Sequence, residues 1–513
     1  MPASRLTRRQ LVVGAAAAFA PWAGRSAMAA RQPRRGGVPR IALPRIPERV
    51  DTVVGDDWET GWIQSLVYDT PLRVTATGDI VAGVGVGLLT DPDGRSLDIP
   101  IRQGMFLSSG AVVTVRDLAA SLERAIESTP DGDAWRWSGV ASVEVVSEER
   151  VRLHVASFDA TLPATLASPI VPVMPDGTPT GPLAIAELPP GTGPFVIANA
   201  NDGQLRFRPN RLYREVSRPR FDGCDVIAVA QEIERTSRLV TGIVDIVPSV
   251  PLLDIPLLEE DPGVGLSGEI GRQQCAVIVR LDQHPLNDVE VRRLLAAVID
   301  REALVEGATA GTARVSNSLF PADHWAGSPN TDSPAPMEIG EARERLAALG
   351  LLPGWPVRLV CPEDVPVLAN AAIMLQEQLA AAGIAVGIDL LDAGEVEQAR
   401  SSGDFDLMMT FLPYWNDPHE LAHPWFHSEG ARNAAGFSNR RVDQLLAMAR
   451  AVDDIRRRGA LYREIQRLVA REVPVIPLFR MPWFDGARVR VEGYEAPSPP
   501  SARGVAEAWF GAS

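Results

Sequence analysis

Val357-Arg358-Leu359-Val360-Cys361, a helical pattern over 368–382 stopped by Gly383, and Ile384-Ala385-Val386-Gly387-Ile388-Asp389-Leu390-Leu391 follow one another directly. Strand, helix, stop and strand make a β-α-β unit, whose crossover should be right-handed and whose strands should be parallel. Downstream, 405–412 reads as another strand. A last long helix over 456–471, with Leu461, Ile465 and Leu468 inward, leads into an apolar strand at 473–479. Upstream, Asn287 can cap a helix with Glu290 three residues on, and Val291, Leu294, Leu295 and Val298 recur at the spacing of a buried face. In the first half, Thr114-Val115-Arg116-Asp117 has the form of a capping box, with Leu118, Leu122 and Ile126 on one helical face behind it. Strand patterns at 143–146 and 151–155 flank the turn Ser147-Glu148-Glu149-Arg150, and the Pro- and Gly-rich 169–194 reads as a crossing between subdomains. Mixed sheets with flanking helices over this length predict a two-lobed α/β architecture.

The start of the chain reads as an address. Arg5, Arg8 and Arg9 precede an apolar run over 11–20, and Ala27-Met28-Ala29 supplies small residues for cleavage after Ala29. That run is about half the ~20 residues a membrane span needs. Thr7-Arg8-Arg9-Gln10-Leu11-Val12 resembles a twin-arginine export signal, with Leu11 where phenylalanine is usual. No cysteine lies near the cleavage point, so the expectation is an exported, soluble chain without a lipid anchor. Residues 30–40 read as a flexible lead-in. Loss of 1–29 removes four arginines and moves the formal charge of the 513-residue chain from −15 to −19. So acidic a protein repels nucleic acid and anionic lipid. The three cysteines, Cys224, Cys275 and Cys361, include no C-x-x-C pair; buried thiols are the default, and a Cys224–Cys275 disulfide stays open. Every cationic side chain apart from histidine is arginine.

Several fragments, in order, resemble the family 5 extracellular solute-binding proteins, the dipeptide, oligopeptide and nickel class of ABC importers. Ile101-Arg102-Gln103-Gly104-Met105-Phe106 followed by Ser109-Gly110 and Val113-Thr114-Val115-Arg116-Asp117 looks like one family signature, continued by Ser121-Leu122-Glu123-Arg124. Gly191-Thr192-Gly193-Pro194-Phe195 is similar to the family's GTGP-aromatic turn, with Asn210 and Tyr213 behind it. Thr241-Gly242-Ile243-Val244-Asp245, Asp288-Val289-Glu290-Val291-Arg292-Arg293, Ile299-Asp300-Arg301, Asn416-Asp417-Pro418, Gly436-Phe437-Ser438-Asn439 and Asp443 complete the series. Leu281-Asp282 departs from an Asn-rich strand end, and Leu97-Asp98-Ile99 breaks a usually apolar strand. The resemblance implies two lobes joined by paired crossing segments: lobe I from 41–75, 190–272 and 482–513, a subdomain inserted at 76–189, and lobe II from 273–481. It implies a periplasmic monomer that captures a small ligand, peptide-like, by hinge closure and hands it to ABC permease subunits in the inner membrane. No cofactor and no catalysis are expected, and feeding a sensor instead of an importer is compatible with the same residues.

Ligand contacts are expected from Tyr414, Trp415, Asn416 and Asp417, a loop after a strand, where aromatics give area and a carboxylate can pair with an ammonium. The competing reading has Trp415 in the core and Asp417 capping the turn opened by Pro418. Asp57 and Trp58 in an early acidic loop are further candidates. The loop 361–365 carries Glu363 and Asp364 and no arginine to clamp a ligand carboxylate; Glu363 is a further contact candidate, and Arg314 is the nearest candidate cation. Cationic or neutral ligands, longer peptides, opines, sugars and metal chelates therefore stay open. His419-Glu420-Leu421-Ala422-His423 is a literal H-E-x-x-H, with His427 beyond it. His419 and His423 are thus metal-ligand candidates, for a carried metal chelate or an exported zinc hydrolase. Against the hydrolase, Pro424 would clash in a helix continuing from 419, and Phe426 and Glu429 occupy the glycine and third-histidine places of the longer pattern. Gly263-Val264-Gly265-Leu266-Ser267-Gly268 matches G-x-G-x-x-G but opens no helix, and a loop is expected there.

Overall fold

The computed structural model of the chain describes residues 33–50, 58–75, 78–201, 203–497 and 501–511; the expected export signal and Asp57 lie outside them. Strands Trp355–Pro362 and Ile384–Leu391 run parallel, Trp355 opposite Ile384, joined by the helix Pro366–Ala381. Gly383, just past that helix, takes a left-handed φ of 91°, the backbone turn that ends it.

Both strands belong to an eleven-stranded mixed sheet. Its order is Phe195–Asn201, Gln204–Pro209, Cys224–Ala228, Arg40–Leu43, Ile246–Val247, Val475–Arg488, Val264–Val279, Leu407–Leu412, Trp355–Pro362, Ile384–Leu391, with Arg314–Val315 paired to Val475–Arg488. The antiparallel pair Val264–Val279 and Val475–Arg488 runs through both lobes. At one end its neighbour is Ile246–Val247 and at the other Leu407–Leu412, and its register slips between Ile270 and Gln274. The first crossing strand thus begins inside Gly263–Gly268, so the expected loop is a strand. A Cβ at Gly268 would lie 2.0 Å from Trp483 O, which is why only glycine lets the two strands pair there.

In the second lobe the sheet is covered on both faces. Cys275, Val277, Val279, Leu359, Cys361 and Met409 pack into one core, while Ala276, Ile278, Val360, Met408 and Leu412 pack into another. Coverage on both sides explains why these strands read as nearly unbroken apolar runs. Cys224 is buried in the first lobe, apart from the other two, and all three thiols are free. The helix at 289–298 is capped by Asp288, which accepts from Glu290 N–H at 2.8 Å, not by Asn287.

The inserted subdomain carries a four-stranded antiparallel sheet, Leu89–Thr90, Ser96–Pro100, Arg150–Val155 and Val140–Ser147, and the helix Val115–Ser128, whose capping box forms as read. Asp98, 5% exposed, does not break its strand. It accepts from Arg152 Nε at 2.7 Å and Arg150 Nη1 at 3.0 Å across the sheet, and the Arg152 hydrogen bond leads in holding its carboxyl below the usual range. The turn Gly191-Thr192-Gly193 packs on the end of the helix Trp58–Val67. A Cβ at Gly193 would meet Val67 C at 2.5 Å and Leu66 O at 2.6 Å, both backbone atoms that cannot step aside. Gly193→Ala is expected to cost about 2–3 kcal/mol of stability, read as a lower urea midpoint at unchanged slope.

Candidate functional site

The loop after Leu407–Leu412 divides its residues between core and seam. Trp415 is 1% exposed, its ring edge-on to Phe320 at 5.5 Å and to His324 at 4.9 Å. Asp417 caps the helix Pro418–Phe426, accepting from His419 N–H at 2.9 Å, and both its oxygens pair with Arg458 at 2.9 Å. Burial raises the Asp417 carboxyl while Arg458 pulls it down. The competing reading of both residues, core and cap, is therefore the one realised here. Asn416 N–H donates to Glu420 Oε2 at 2.7 Å, and Tyr414 lies half-buried with its ring 5.7 Å from the Arg272 guanidinium. Glu363 is exposed just past its strand, its N–H tied to Leu391 O. Trp58 opens its helix, edge-on to Trp483 at 5.2 Å.

The crossing strands bring cations that sequence reading missed. Arg272 sits in the register slip, donates to Trp415 O at 3.1 Å and stacks 5.1 Å from the Trp415 ring. The hairpin between Leu72–Val74 and Ile80–Ala82 comes against it, a Cβ at Gly78 falling 2.9 Å from Arg272 Nη2. Arg480 pairs with Gln274 and Arg314 in the strand registers. It is 8% exposed and donates to Ser318 O and Oγ at 3.3 Å. Burial lowers its pKa to about 10, with Arg314 adding to the fall and Asp323 opposing it. His324, beside them, is pushed down to about 3 by burial and by Arg272 and Arg480. Among the described residues, Arg272, Arg314 and Arg480 make no ion pair with a carboxylate, and Gln274 Oε1, Trp415 Nε1 and Asn416 Oδ1 are buried without partners. Trp483 is held by its Nε1 donating to Asp485, a carboxyl raised to about 6 by burial. The signal that could have found Arg480 is its place between Phe479 and Met481: an arginine inside an apolar strand needs a reason to be there.

The histidine run lies elsewhere in the seam. Contrary to the expected clash, its helix continues through Pro424 to Phe426; the missing N–H falls in the last turns, and Pro424 O is taken up by Arg432 N–H. The His419 and His423 rings stack at 5.2 Å, and His427 stands 4.7 Å from His423. His419 Nδ1 bonds Tyr462 Oη at 3.1 Å, and Glu420 is engaged by the cap and by Arg136. Among the described residues no group of three His, Cys, Asp or Glu side chains is placed to hold a metal ion, so the donor set does not fit one. A cavity of about 410 Å³ opens beside the run, lined in part by Asp159, Asp443 and Arg450. No described helix is long and apolar enough to cross a membrane.

Residues 87–433 match the family described as bacterial extracellular solute-binding proteins, family 5 Middle. The chain is 26% identical over 407 residues to the glutathione-binding protein of Salmonella typhi, covering 76% of this chain and 79% of that one. It is 23% identical over 374 residues to a dipeptide-binding protein of Pseudomonas aeruginosa, covering 69% of each. Among solved structures, the PBP AgaA of A. tumefaciens R10 in complex with agropinic acid matches with TM-score 0.78 at 22% identity, over 93% of this chain and 99% of that one.

Proposed function

Because the chain belongs to the bacterial extracellular solute-binding proteins of family 5, we propose that it captures a small, peptide-like, carboxylate-bearing ligand between its lobes and delivers it to the permeases of an ABC importer. The observation that carries this reading is the convergence of three arginines, none paired to a carboxylate among the described residues: Arg272 beside the rings of Tyr414 and Trp415, Arg480 acting with it on His324, and Arg314 opposite Arg480 in the strand register. Guanidinium groups left in this state suit a carboxylate, which they bind in a fork. The named ligands of the relatives, glutathione and dipeptides, and the agropinic acid of the structural neighbour all carry carboxylates.

In this reading lobe I is 41–75, 190–272 and 482–513, the insertion is 76–189, and lobe II is 273–481, so both crossings fall at the register slip. Ligand touches both lobes and favours the closed form by its differential affinity. The chain works as an exported periplasmic monomer and makes or breaks no covalent bond. The metal-chelate reading draws no support from His419, whose Nδ1 is taken up by Tyr462, and among the described residues no three-donor group surrounds it and His423. Titration calorimetry with glutathione, a dipeptide and the same dipeptide as its C-terminal amide tests the carboxylate. The acid should bind about 100-fold more tightly than the amide, and saturation at about 100 Kd should add about 2.7 kcal/mol of stability. Equal affinity for acid and amide would sink the reading.

A further inference from the structure

A second set of contacts joins the inserted subdomain to the second lobe through residues that play no part in the arginine cluster. From the subdomain come the short 3-10 helix Asp131–Arg136, then Ser138 and Asp159; from the lobe come the helices Pro418–Phe426 and Arg440–Arg450. Arg450, last residue of its helix, donates through Nε to Asp159 Oδ2 at 2.7 Å and through Nη1 to Ser138 Oγ at 2.5 Å, while its backbone O accepts from Ala160 N–H at 2.8 Å. Arg136 Nη1 donates to Glu420 Oε1 at 2.8 Å. Trp135 lies between these ion pairs, its ring 5.3 Å from His419 and 5.4 Å from His423. Gly132 comes so close to lobe II that a Cβ there would fall 3.1 Å from Ala431 Cβ.

We propose that this seam is a ligand-independent clasp: Trp135, Arg136 and Asp159 of the insertion grip Glu420, His423 and Arg450 of lobe II and set how much of the empty receptor stands closed. The clasp rests on hinge closure of the two lobes but not on the identity of the ligand. Its chemistry suits a reversible contact. Each ion pair joins a cation that keeps some exposure to an acid that is nearly buried, 18% against 9% for Arg136 and Glu420 and 18% against 3% for Arg450 and Asp159. Against that gain, Trp135 Nε1 and His423 Nδ1 are shut in without partners, groups that water would satisfy once the seam parts. Favourable pairs set against unsatisfied polar atoms give a closed form that can open. Because apparent affinity scales with the fraction of binding-competent receptor, the clasp residues are positioning residues for binding.

The test is a distance measurement on the ligand-free mature chain. Spin labels at Val145→Cys on the insertion and Met448→Cys on lobe II report across the seam; both sites are exposed, whereas the native thiols are buried. The clasp predicts a short-distance population in the unsubstituted background that falls at least about tenfold relative to the long one in Trp135→Ala and in Arg450→Gln. Asp159→Asn combined with Arg450→Gln should change little beyond either alone. Identical distance distributions in all variants, with circular dichroism showing each folded, would overturn the proposal. If Trp135→Ala fails to fold, the Arg450→Gln distribution decides alone. None of these outcomes depends on whether a peptide binds.

Discussion

Asp417→Ala should lower the unfolding free energy by about 3–5 kcal/mol, because it removes one partner of a buried ion pair and strands the other. Arg458 would keep its donor bond to Ala449 O at 2.9 Å but lose both contacts to Asp417, in a setting where its side chain is 8% exposed. The same change removes the acceptor for His419 N–H at the start of the helix Pro418–Phe426, a loss of about 1 kcal/mol by itself. A double-mutant cycle separates the two. Arg458→Met in the Asp417→Ala background should recover most of the ion-pair loss, since an apolar side chain replaces a stranded charge, while the cap deficit stays. Chemical denaturation of the four proteins reads the cycle. If Asp417→Ala were worth less than about 1 kcal/mol, Arg458 would have to find solvent that its burial denies it.

Arg480→Met should do opposite things to folding and binding. The Arg480 guanidinium is buried against Ser318 and, among the described residues, forms no ion pair with a carboxylate; burial lowers its pKa to about 10, with Asp323 only partly opposing the fall. Replacing it with an apolar side chain of similar length should raise stability by roughly 1–3 kcal/mol. Binding of a carboxylate ligand should weaken by about 2–5 kcal/mol, a factor of roughly 30 to several thousand. Thermal unfolding without ligand and calorimetry with the dipeptide acid read the two effects. A variant that lost both stability and affinity would mark Arg480 as a structural residue; one that kept its affinity would remove it from the site. Gain in one quantity and loss in the other is the mark of a residue kept for function.

What could be read in advance followed from how local the forces were. The capping box at Thr114 and the unit from Trp355 to Leu391 depend on neighbours within a few turns, and both formed. The cap at Asp288 was missed by one residue because Asn287 and Asp288 are both good caps and only backbone geometry chooses. The strand at 264–270 was hidden because its partner, 482–488, lies more than two hundred residues away and its own glycines speak for a loop. Arg272 and Arg480 were hidden for the same reason: register across that pair, not spacing along the chain, makes them neighbours. Trp415 reads equally as a ligand contact or as core, and its enclosing rings, Phe320 and His324, come from a distant segment. The literal H-E-x-x-H shows the converse. Its two imidazoles do stack as helix spacing demands, yet Tyr462 and Arg136, neither near in sequence, occupy His419 and Glu420.

The crossing strand Val475–Arg488 lies in the middle of the large sheet, between Ile246–Val247 and Val264–Val279, although it is nearly the last strand made. A ribosome that has released everything up to residue 470 has therefore produced two half-sheets with open edges facing each other and nothing between them. Neither lobe can be completed in order of synthesis, and long-range pairing of this kind is slow to form. Until the final segment slots in, exposed strand edges are open to pairing with other chains. A cell making this protein must keep the unfinished chain apart from its copies until the segment through Arg488 has been translated.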